Sequence, residues 1–140
     1  MVKLSEAAAA SFEAVEHDLE CAWVKYPGVP ESVRMQLAIA VAEVVGNIID
    51  HGGGQQHRPV NIEMALTVSE GGQVQICFTD DGDPLPAEID LAEVAMPDTA
   101  AEGGRGLALA QAVLEQLNYH RDNALNYWTL VSRRFSSPRS

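Results

Sequence analysis

Three stretches of this sequence combine residue types and spacings that could do chemistry. Between Ala38 and Ile49 only Glu43 and Asn47 carry hydrogen-bonding side chains; every other residue is Ala, Val, Ile or Gly. Four positions apart, the two lie on one face of a helix that is otherwise apolar on nearly all sides. A carboxylate in apolar surroundings is costly, so the pair is either satisfied by nearby backbone or kept for a task. The second stretch is Asp80-Asp81-Gly82-Asp83-Pro84, at the end of a strand-like run. Asp80 shares the parity of Val74, Ile76 and Phe78. It therefore either points to the core side and needs a donor, or the strand stops at Thr79 and Asp80 is a solvated turn residue. The third is Gly103-Gly104-Arg105-Gly106, which opens a helical pattern. Such a cluster is either an ordinary turn or an anion site, where free amides and the positive end of the helix dipole meet phosphate and Arg105 adds a donor. It matches neither the P-loop nor the dinucleotide fingerprint. In this order the three supply the parts of a nucleotide site. Asp80 can accept from an exocyclic amine, Asn47 offers a hard oxygen to Mg²⁺, the glycines can hold phosphates, and Glu43 can take a proton.

The elements that must position these groups follow from periodicity. Met1 to Leu4 reads as a short strand or a frayed end. Ser5 reads as an N-cap with Glu6 in the first turn, opening a helix to about Lys25 through Phe12, Val15, Leu19, Ala22 and Trp23. Tyr26-Pro27-Gly28 ends it, and a second helix starts at Pro30-Glu31 or Ser32 and stops at Gly52-Gly53-Gly54. Val60 to Val68 alternates cleanly, Glu70 to Gln73 is a turn, and Val74 to Phe78 alternates again, which predicts an antiparallel hairpin. Residues 83–103 hold Pro84, Pro86 and Pro97 and no clear period apart from a helical turn near Leu91 to Val94; a loop this long in a small domain suits a functional lid. Leu107, Ala110, Val113, Leu114 and Leu117 predict an amphipathic helix. Asn118 to Arg121 and Leu125 to Arg133 predict a closing hairpin around Asp122-Asn123-Ala124, and residues 135–140 a mobile tail.

A chain of 140 residues with no repeats is expected to form one domain, 1–140, large enough to fold without staples. Its net charge of −11 argues against direct nucleic-acid binding and against an anionic membrane surface. Cys21 and Cys77 show no metal-ligand spacing and are expected to be reduced thiols. The acidic residues Glu6, Glu13 and Glu16 do not suit a signal peptide, and no run is expected to span a membrane, so the reading is cytoplasmic.

Taken together, the motifs resemble those of the GHKL, or Bergerat-fold, ATPases. Glu43 to Asn47 (EVVGN) resembles the N box, Asp80 to Pro84 (DDGDP) the first glycine box and Gly103 to Leu107 (GGRGL) the second, over a core of about residues 31–133. The resemblance implies an α/β (α+β) two-layer sandwich, with a mixed, mainly antiparallel sheet, three helices on one face, and ATP between the layers. It gives Glu43 the general-base role and makes Asn47 the Mg²⁺ ligand. It sets Asp80 on the adenine amine with Gly82 beside the base, and Gly104 and Gly106 at the phosphates with Arg105 near the γ-phosphate. His51 fits an N-box extension with a packing or helix-end role. A last-strand Gly-Thr or Gly-Asn pair of the family has no clean match; Asn126 and Thr129 are the candidates.

The short chain looks most like the anti-sigma-factor serine/threonine-protein kinases. That likeness implies phosphorylation of a serine on a STAS-domain anti-anti-sigma partner, sequestration of a sigma factor, and a homodimer that pairs near the first strand. The first strand is short here, which leaves the dimer surface open. An alternative is a nucleotide-gated protein-binding switch with little or no kinase activity. A detached sensor-kinase catalytic domain is disfavoured because no His-bearing dimerisation segment is seen in the sequence.

Overall fold

The computed structural model describes residues 2–7, 12–52, 60–85 and 104–136. In chain order the elements are β1 (Val2–Ala7), α1 (Phe12–Lys25), α2 (Glu31–Gly52), β2 (Ile62–Ser69), β3 (Gln73–Asp80), α3 (Gly104–Val113), β4 (Gln116–Asp122) and β5 (Leu125–Val131). The strands form one sheet in the order β1-β2-β3-β5-β4, and every described pairing is antiparallel. The expected two-layer arrangement is present. Apolar residues of α1, α2 and α3 form one cluster with the inner face of the sheet, including Leu37, Val44, Val45, Leu107, Leu66, Ile76, Phe78 and Leu130.

The alternation read from the sequence governs β2 and β3. Ile62, Met64 and Leu66 are buried opposite Asp80, Phe78 and Ile76, while Glu63 and Gln75 on the other face are exposed. This register carries the parity through to Asp80, which is in the strand and only 2% exposed. The reading of Asp80 as a solvated turn residue therefore fails. The β2–β3 turn is closed by Gly72, at φ 85°, where an added Cβ would lie 1.9 Å from the Phe135 carbonyl oxygen.

Four expectations are corrected. Ser5 is not an N-cap: β1 runs to Ala7 and pairs with β2 from Val2↔Leu66 to Ala7↔Ile62, with α1 starting at Phe12. Pairing with a sheet edge satisfies those backbone groups along the whole stretch, which a local cap cannot do. Leu117 is not helical either. α3 stops at Val113, and Leu117 lies in β4 opposite Leu130, where it stays buried. Phe135 packs against the core and donates its N–H to the Gly72 carbonyl at 2.9 Å, so the chain is held beyond the last strand. Finally, Glu31–Ile49 within α2 is long and apolar enough to cross a membrane, with a mean hydropathy of 1.4. Here it is the central helix of the domain, with Leu37, Ala40, Val41, Val44, Val45 and Ile48 all buried. The helical turn expected at Leu91 to Val94 falls outside the described residues.

Candidate functional site

Asp80 ends β3 on the helix-covered face of the sheet, and three donors converge on it. Its Oδ1 accepts from the Gly82 backbone N–H at 2.8 Å and from Asn126 Nδ2 at 2.8 Å. Its Oδ2 accepts from Trp128 Nε1 at 2.9 Å. A carboxylate offers roughly four lone-pair positions, so among the described residues about one on Oδ2 is left for a further donor. The Gly82 contact is an Asx turn, which bends the chain directly after the strand. The next residue, Asp81, has a different task. Its two oxygens take the Asn61 N–H and the Asn61 Nδ2, both at 2.9 Å, and so tie the end of β3 to the start of β2.

Asn126 joins this turn to the last hairpin. It sits opposite Asp80 in the β3–β5 register and is 2% exposed. Besides Asp80, its Nδ2 donates to the Gly82 carbonyl at 3.2 Å and the Asp83 carbonyl at 2.9 Å. Its Oδ1 accepts from the Tyr119 hydroxyl at 2.6 Å and from Arg121 at 3.1 Å. Arg121 also donates to the Gly82 carbonyl at 2.8 Å, and the Tyr119 hydroxyl accepts from the Leu85 N–H at 2.8 Å. The Gly82 and Asp83 carbonyls of the turn are thus held by side chains from β4 and β5. The Tyr119 ring lies against Trp128, with centroids 4.6 Å apart.

The second half of the site is where α2 meets α3. Glu43 is half-buried, and a Cβ built on Gly106 would sit 3.3 Å from its Oε2. The glycine thus lets the first turn of α3 approach the carboxylate of α2, and the helix dipole there favours a negative group. One turn further along α2, Asn47 is buried at 9% exposure, and its Oδ1 has no hydrogen-bond partner among the described residues. An orphaned buried carbonyl oxygen costs about 1–3 kcal/mol. It is the kind of hard ligand that Mg²⁺ takes singly from a protein, with substrate phosphates completing the shell, so the residues present fit that ion.

Of the residues singled out in the sequence, Asp80, Gly82 and Asn126 are in one hydrogen-bonded cluster, and Glu43 and Gly106 are in contact across α2 and α3. Gly104 and Arg105 are in the first turn of α3 as expected. Thr129 is not in the cluster. It pairs with Cys77 and Asn118 on the opposite face of the sheet, because it is one residue out of phase with Asn126 and Trp128. His51 is in the last turn of α2. Trp128, Tyr119 and Arg121 went unread in the sequence. The parity of Trp128 was a usable signal, since a buried indole N–H needs an acceptor on the same face.

The sequence profile of the histidine kinase-like ATPase domain matches residues 5–131, nearly the whole chain. No curated protein matches at a significant level. Among solved structures, the EL346 blue-light activated histidine kinase of Erythrobacter litoralis is similar in fold, with a TM-score of 0.56, 20% identity, and coverage of 74% of this chain and 31% of that one. The histidine kinase domain of the same protein gives a TM-score of 0.57 at 16% identity over 91% of this chain and 64% of that one. The chain thus spans under a third of the full light-activated kinase and just under two thirds of its kinase domain. The mycobacterial sensor histidine kinase MprB is also matched, at 18% identity over 73% of this chain and 76% of that one with a TM-score of 0.47. With the profile covering the N-box helix, the Asp80 turn and the glycine-led α3 alike, the chain belongs to the histidine kinase-like ATPase domain family, an ATP-binding fold.

Proposed function

We propose that the chain is an ATP-dependent serine/threonine protein kinase and anti-sigma factor. In this reading it phosphorylates a serine on a STAS-domain anti-anti-sigma protein and otherwise holds a sigma factor in the cytoplasm. The observation that carries the phosphoryl-transfer half is the place of the Glu43 carboxylate, whose Oε2 would be 3.3 Å from a Cβ on Gly106 in the first turn of α3. A carboxylate there can take a proton beside the helix start that would receive phosphates; its other use, as favourable charge at the N-terminus of α3, would transfer no label. The choice of a serine acceptor and of the two partners rests on the motif resemblance.

Phosphoryl transfer asks a protein for positioning and charge stabilisation. Asp80 accepts the adenine amine on its remaining Oδ2 position, fixed by Trp128 and Asn126. The free amides at the start of α3 receive the phosphates. Asn47 Oδ1 would hold Mg²⁺, which would supply positive charge to offset that of the phosphates. Glu43 accepts the proton of the acceptor serine as its Oγ bonds to the γ-phosphorus. The bond from that phosphorus to the bridging oxygen breaks, and ADP leaves with the electron pair.

The test is transfer from γ-labelled ATP to a purified STAS protein, for wild type and Glu43→Gln. The expected result is label on a serine, with the variant slower by about 10²–10⁴-fold at unchanged ATP affinity. Tight ATP binding without label would instead make the domain a nucleotide-gated switch. Label at full rate in Glu43→Gln would remove Glu43 from the chemistry.

A further inference from the structure

α2 is apolar on more sides than the fold covers. Its sheet-facing side is buried, but Met35 is 60% and Ile39 is 40% exposed, and Ala38 and Ala42 beside them are exposed too. Positions 35, 38, 39 and 42 form one continuous stripe at helical spacing. Next to it, α1 and α2 enclose a cleft of about 280 Å³, with Leu19 and Trp23 on the α1 wall and Met35, Ala38 and Val41 on the α2 wall. Glu16 and Glu20, both exposed, line the α1 side as well. The single cation among the described lining residues, Arg34, is already engaged. It donates to the Val29 carbonyl at 2.8 Å and the Pro27 carbonyl at 3.1 Å, and lies 5.7 Å from the centre of the Trp23 ring.

We propose that this cleft docks an amphipathic helix of a partner protein, with its apolar side chains along the α2 stripe and Lys or Arg residues against Glu16 and Glu20. The cleft is at the lower limit of the roughly 300–1,000 Å³ that small-molecule sites occupy, and it suits a few side chains better. An exposed stripe at i, i+3, i+4 and i+7 is what a helix in a groove pairs with. The acidic wall selects the sign of the partner. A second copy of this chain would bring its own Glu16 and Glu20, on a molecule of net charge −11, against the same wall. An anionic lipid surface is repelled for the same reason.

The test uses the full chain without nucleotide and three synthetic peptides of about 18 residues, long enough for helix formation. One is an amphipathic Leu/Lys helix, one replaces each Lys by Glu, and one scrambles the Leu/Lys order. Affinity is read by calorimetry and the state of the free chain by sedimentation. The Leu/Lys helix is expected to bind at least about tenfold more tightly than either control. Met35→Ser with Ile39→Ser is expected to weaken it about tenfold or more. Glu16→Lys with Glu20→Lys is expected to reverse the preference toward the Leu/Glu helix. All four positions are solvent-facing, and circular dichroism checks that both variants fold. No binding, equal binding of the Lys and Glu peptides, or undiminished binding by the serine variant overturns the proposal. So does a wild type that sediments as a dimer and becomes a monomer with the serine substitutions, because a second copy then covers the stripe.

Discussion

Trp128 shows how much the Asp80 site owes to residues that bind no ligand. Its Nε1 is the only described donor on Asp80 Oδ2, so it fixes which lone pair stays free. A hydrogen bond to a charged group contributes about 1.5–3 kcal/mol. Trp128→Phe keeps most of the apolar burial but removes that donor. We expect a stability loss of roughly that size in chemical denaturation and a weaker preference for ATP over GTP in direct binding, because Oδ2 is then free to turn. Unchanged base preference at reduced stability would restrict Trp128 to packing. Glu43, Asn47 and Asp80 were legible in the sequence because each is a polar residue in an apolar pattern. Tyr119 and Arg121 were not, and for Trp128 parity gave the face but not the partner, since all three meet Asp80, Asn126 and Leu85 only through the β3–β5 and β4–β5 registers.

At the scale of elements, two hairpin turns carry opposite chemistry at the same kind of backbone position. Gly72 has a φ of 85° and no room for a Cβ, which would lie 1.9 Å from the Phe135 carbonyl oxygen. The left-handed region alone costs an L residue about 1–2 kcal/mol. Gly72→Ala is expected to cost more than that in urea unfolding and to release the Phe135 N–H from the Gly72 carbonyl, seen as faster exchange of that amide. The β4–β5 turn has Asn123 at φ 52° and Ala124 at φ 66°, the two-residue geometry in which glycine is favoured at the second place. Ala124→Gly relieves strain there, against the entropy that glycine adds to the unfolded chain. A net gain of about 0.5–1 kcal/mol is expected, and a loss would show that Ala124 makes contacts worth more than its strain. The turns themselves were visible as glycine and Asp-Asn clusters. The strand ends were harder, because Ser5 and Leu117 obey helix rules locally and are drawn into β1 and β4 by pairing partners far along the chain.

At the scale of the molecule, the proposed site draws on residues from Glu43 on α2 to Trp128 on β5, far apart in the sequence and gathered only by folding. The unfolded chain therefore has no site to offer, and a ligand of the folded state must stabilise it. At about a hundred times its dissociation constant, Mg-ATP is expected to add roughly 2.7 kcal/mol, which for a domain of this size raises Tm by roughly 8–12 °C. The choice of variant decides what the shift means. Asp80→Asn would turn an acceptor toward Asn126 or Trp128 into a donor, so it would lose native stability and affinity together and separate neither. Asn47→Ala removes an oxygen that the protein itself leaves unpaired, so its native stability should hold or rise slightly. Its Tm in ATP should then no longer differ between Mg²⁺ and EDTA, while the wild type keeps that difference. An Asn47→Ala domain that melts early and still responds to Mg²⁺ as wild type does would place Asn47 in the structure alone and leave the metal to ligands elsewhere.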